Sequence, residues 1–204
     1  MDNKYEEAKK IYIKHGGNYF FMDRGEVPLF EKYKSFNVPA EVEAEWNKEI
    51  KEDVLSKIKN EKNMHMLSMQ FSRLRNISSK MKDINGLLFL KDILHSNGDK
   101  YDTFTNLMLI ETIFTQIEFF TLRDKEMTVK IAEETLNFLK TLEKKPITVS
   151  KDYYPESETR TGFLSDEELK ERISSGIKEY TKIYEDMKNK SLEELFPHLL
   201  KFLK

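Results

Sequence analysis

The chain has no cysteine, and only 7 glycines and 5 prolines among its 204 residues. Without cysteine there is no disulfide framework, no thiolate nucleophile and no cysteine-liganded zinc. So few turn-forming residues argue against many short strands joined by hairpins. With abundant Lys, Glu and Leu, they point instead to long helices. Also missing are Gly-x-x-x-x-Gly-Lys, Gly-x-Gly-x-x-Gly and Gly-x-Ser-x-Gly, which closes the shortest routes to nucleotide or hydrolase chemistry. No Glu-x-x-His occurs, so the di-iron pattern of helical bundles is incomplete. The four histidines, His15, His65, His95 and His198, show no metal-ligand spacing. Neither a metal nor a cofactor is therefore expected. The net charge of −2 gives no global attraction to nucleic acid or anionic lipid. The first residues, Met1-Asp2-Asn3-Lys4-Tyr5-Glu6-Glu7, are polar with no apolar stretch behind them. A cytoplasmic protein with no membrane association is expected.

What is present is dominated by residues 103–122. This stretch carries Phe104, Leu107, Leu109, Ile110, Ile113, Phe114, Ile117 and Phe120, and no Lys or Arg between Lys100 and Arg123. Five threonines, with Glu111 and Glu118, make it a poor membrane span, so it reads as a buried helix on which the others pack. Asp102 is its expected N-cap.

Apolar residues at helical spacing predict further helices over 2–14, 39–60, 64–82, 84–94, 125–143, 165–189 and 192–203. Pro39 suits the first helical position, and Asp124 suits an N-cap. Ser165 with Glu168 and Ser191 with Glu194 have capping-box spacing. Within 64–82 the apolar positions Met64, Leu67, Phe71, Leu74 and Met81 leave one place in the stripe to Ser78. For residues 17–36 two readings stand. Tyr19-Phe20-Phe21-Met22 and Glu26-Val27-Pro28-Leu29-Phe30, around Asp23 and Gly25, fit a small β-hairpin or an irregular aromatic loop. Residues 146–164 lack any helical pattern. The expectation is a single all-α domain over 1–204, an antiparallel helical bundle or HEAT-like stack, with at most that one hairpin.

Four groups of residues invite functional readings. Glu111 and Glu118, seven apart on one helix edge, suggest a carboxylate pair for catalysis or ligand binding in a bundle core. The plainer alternative is that each meets a Lys or Arg at the rim. Arg73, Arg75, Lys80 and Lys82 make a basic segment free of Asp and Glu between Met64 and Lys82, which suits nucleic acid or another anion. The acid-rich run from Glu41 to Asp53 offers it a neutralising neighbour instead. Met64, Met66 and Met69 resemble the lining of an interaction groove, although methionine at helical spacing is more often core filler. Finally, Tyr19, Phe20 and Phe21, and Tyr153, Tyr154, Arg160 and Phe163, lie outside the clearest helices and suit contact with a protein partner. The plainer account of these aromatics is that they cover the ends of the bundle. The preferred expectation is a non-enzymatic interaction or regulatory protein, with nucleic-acid binding disfavoured and a homo-oligomer left open.

Overall fold

The computed structural model describes residues 5–22, 24, 29–154 and 159–197. Among them there is no strand, and the helices are α1 (Glu6–Lys14), α2 (Tyr19–Met22), α3 (Leu29–Ser35), α4 (Ala40–Asn60), α5 (Met64–Met81), α6 (Asn85–Asn97), α7 (Thr103–Thr121), α8 (Lys125–Leu142), α9 (Asp166–Asn189) and α10 (Leu192–Leu195). None of them is long and apolar enough to cross a membrane.

Local chemistry sets most boundaries. Asp102, Asp124 and Ser165 each accept a hydrogen bond from the N–H three residues on, satisfying a donor that the first helical turn leaves unpaired. Ser191 and Glu194 form a complete reciprocal capping box. Pro39 is the N-cap of α4 and lies just outside the helix. The helix expected at 84–94 runs on to Asn97, with a 3-10 turn over Gly98–Lys100 behind it.

Two expectations fail. The first hairpin arm, Tyr19–Met22, is helical, and Leu29 and Phe30 of the second begin the helix Leu29–Ser35. The intended turn residues Asp23 and Gly25 and the arm Glu26, Val27 and Pro28 lie outside the described residues. The final helix ends after one turn, because Phe196 leaves helical geometry ahead of Pro197, whose ring opposes a continuing helix. Residues 198–204, including His198, lie outside the described residues.

From α4 to α9 each helix packs on the next, and α5, α7 and α9 also touch in a row, as do α6 and α8. The three-residue connections 61–63, 82–84 and 122–124 turn the chain straight back. In the middle, α7 is buried nearly all round, from Phe104 through Ile110 and Ile113 to Phe120. Residues 147–154, within the stretch 146–164 that lacks a helical pattern, are a strap over the N-terminal ends of α5 and α7. Thr148 and Thr103 exchange backbone and hydroxyl hydrogen bonds. Asp152 accepts from the Met64 N–H at 2.6 Å, where a carboxylate also meets the positive end of α5. The short helices α1 to α3 pack at the other side, against α4 and α5.

Candidate functional site

Helix α5 has two faces. Leu67, Phe71, Leu74, Ile77 and Ser78 are buried inside. Met66, Met69, Arg73, Asn76 and Lys80, at three- and four-residue steps, form a stripe on the other side. Met66 and Met69 are 44% and 48% exposed, so these two methionines are surface residues and not core filler.

Helix α2 lies beside this stripe because a polar cluster holds it there. The Tyr19 and Tyr33 hydroxyls both donate to the Glu43 carboxylate of α4, at 2.5–2.7 Å and 2.5 Å. The Tyr12 hydroxyl donates to Asn47 Oδ1 at 2.9 Å and accepts from the Lys80 ammonium at 2.6 Å. Lys80 also donates to the Gly17 carbonyl at 2.6 Å, and its Nζ lies 4.4 Å from the centre of the Tyr19 ring. Gly17 makes the tight exit from α1 possible. Its φ is +70°, and a Cβ there would crowd Asn47 and the Tyr12 ring at 3.1 Å.

Burial, followed by the Glu43 charge for Tyr12 and by the hydrogen bond to Glu43 for Tyr19 and Tyr33, pushes these phenols far above the usual tyrosine range. Burial lowers the Lys80 ammonium, an effect opposed by Glu43. Tyr101, Tyr153 and Tyr180 are also raised, chiefly by burial, so six of the 9 tyrosines are affected. A phenol whose pKa is higher folded than unfolded stabilises the fold fully below about pH 10 and loses that contribution as pH climbs through the folded value. In an alkaline titration followed at 295 nm, the phenolate signal at pH 11 is expected to fall well short of that in 6 M guanidinium. Superimposable curves would show that these hydroxyls are not held as described.

The result of this packing is a composite groove between α1, α2 and α5. One concavity of about 430 Å³ is lined by Lys14, His15, Asn18, Phe21, Met69 and Arg73, among others. A neighbouring one of about 340 Å³ adds Tyr19, Phe20, Ser79 and Lys80, and the two share Gly16, Asn18 and Asn76. Phe20 is 62% and Phe21 40% exposed, and the Arg24 guanidinium lies 4.2 Å from the Phe20 ring centre. The aromatic segment and the basic helix, separate in sequence, therefore meet at one surface. Arg73 and Arg75 hydrogen-bond to Gln70 and Asn76, and among the described residues neither is ion-paired to the acidic side chains of α4. Lys82 closes α5 in the left-handed region and lies off the stripe.

The other expected residues do not assemble into a site. Glu111 forms an ion pair with Arg172 at 2.6 Å, and Glu118 is exposed, so the two carboxylates do not converge on a cavity. No group of three or more His, Asp or Glu among the described residues could hold a metal ion. Tyr153 is a packing residue: its hydroxyl donates to the Met64 carbonyl at 2.8 Å, and its ring stands edge-on to Phe104. Tyr154 is half-buried, and Arg160 is ion-paired to Asp166. Phe163 is exposed, with its ring centre 5.8 Å from that of Phe104. No protein-family model, curated protein or solved structure matches the chain.

Proposed function

We propose that this chain is a non-enzymatic, cytoplasmic protein-interaction module whose contact face is formed by α2 and the exposed stripe of α5. The observation that supports it is the grouping of Phe20, Phe21 and Met69 along one groove, with Met66 on the same stripe of α5 and cationic and amide side chains beside them. Large apolar side chains left in water together are a feature of docking surfaces, and aromatic anchors carry much of the energy in such contacts. Methionine adds a flexible, polarisable surface that adapts to a partner. Among the described residues the groove has no arrangement of nucleophile, base and oxyanion donors that would favour catalysis.

A photo-reactive benzoylphenylalanine at Phe20 is expected to cross-link in cells to a discrete partner, while the same group at the exposed Lys140 on α8 does not. The adduct should disappear when Phe21 and Met69 are both changed to serine, with the helical circular dichroism unchanged. Absence of any discrete adduct from Phe20, Phe21 and Met69 would remove this assignment.

A further inference from the structure

The composite groove has a charge character that specifies its occupant. The chain as a whole carries 36 Asp and Glu against 34 Lys and Arg, yet among the described residues no carboxylate lines either concavity. Some lysines elsewhere are ion-paired, Lys9 with Glu49, Lys57 with Asp53 and Lys145 with Asp99. In the groove, Lys14 and Arg73 have no carboxylate partner among the described residues, and Arg73 reaches only the neutral Gln70. His15 Nε2 is covered from solvent and has no hydrogen-bond partner among the described residues. Phe21, Ile50 and Met69 supply apolar wall beside these groups.

We infer that the groove receives an acidic segment of a partner protein, its carboxylates meeting Lys14 and Arg73 and its apolar side chains packing on Phe21 and Met69. This rests on the interaction face proposed above and adds the chemistry of the partner. Charge complementarity carries the choice. A carboxylate here gains two cations that have not already been neutralised, while a basic segment would meet like charge in a partly desolvated site. A nucleic-acid strand would need a longer run of cations than this groove offers.

Phage-displayed random 12-residue peptides, panned on the full-length chain, test it. Enriched peptides are expected to carry more Asp and Glu than Lys and Arg, together with Leu, Phe or Trp. A synthetic copy of the leading peptide should bind about tenfold more weakly to Lys14→Glu and to Arg73→Glu, each checked for native circular dichroism, and more weakly in high salt. Replacing its acidic residues by Lys should restore binding to the reversed variants. Neutral or basic enriched peptides, or acidic ones indifferent to both reversals, overturn the inference. If their capture still requires Phe20 and Phe21, the contact face itself stands. Failure to enrich any peptide that depends on Phe20 and Phe21 sinks both. Arg73-dependent binding of a 20-nucleotide single strand that displaces the peptide would reassign the groove to nucleic acid.

Discussion

Gly86→Ala is expected to destabilise the fold by about 2–3 kcal/mol, the upper range for forcing one extra carbon into a packed core. Gly86 lies in the first turn of α6, where the chain doubles back from α5. A Cβ there would stand 1.9 Å from Ser78 Oγ and 2.7 Å from Ser78 Cβ. The hydroxyl can rotate, but Ser78 Cβ is fixed to the backbone of α5, so the two helices must separate. Ser78→Ala alone should be nearly neutral, because its buried hydroxyl has no hydrogen-bond partner among the described residues. In the double variant Ser78→Gly with Gly86→Ala the carbon is moved across the contact, and much of the loss should return. Urea unfolding followed at 222 nm of the unsubstituted chain, Ser78→Gly, Gly86→Ala and the double variant gives the four stabilities of that cycle. Simple addition of the two single effects would mean that the helices do not meet at this point.

Phe71→Ala is expected to cost more, about 3–5 kcal/mol, which for a chain of this size lowers the melting midpoint by about 10 °C. Phe71 is fully buried on the inner face of α5, and its ring centre lies 6.3 Å from that of Tyr101. Truncation leaves a cavity between helices that cannot collapse without shifting α5 itself. Met69→Ser, two residues away on the outer face, should change stability by no more than about 0.5 kcal/mol. A thermal scan that found the two variants alike would contradict the assignment of inner and outer faces.

The bundle was largely legible because its determinants are local. The stripe of Met64, Leu67, Phe71 and Leu74 and the caps Asp102, Asp124 and Ser165 act within one or two turns. Even the gap at Ser78 was visible in sequence, although its cause, a glycine on the next helix, was not. Residues 19–22 were misread because four consecutive apolar residues fit a strand, a loop or one helical turn equally well. What decides among these is Glu43, which holds the hydroxyls of Tyr19 and Tyr33 from a different helix. The groove was hidden for the same reason. Its aromatic and cationic halves were each noticed, but only the docking of α2 on α5 places Phe21 beside Arg73. For Glu111 the plainer reading of a cation at the rim could be stated from sequence, but seven-residue spacing shows only a shared edge and could not name Arg172.

The polar mounting of α1 to α3 has a consequence for how occupancy of the groove would be felt. Its walls belong to two bodies: Lys14, Asn18 and Phe21 to the N-terminal helices, Met69 and Arg73 to the bundle. A ligand touching both acts as a clasp, adding its binding free energy to the clustered phenols, Glu43 and Lys80 that join them. Slowed amide exchange in α1 would then register the clasp closing, at sites the ligand itself never covers.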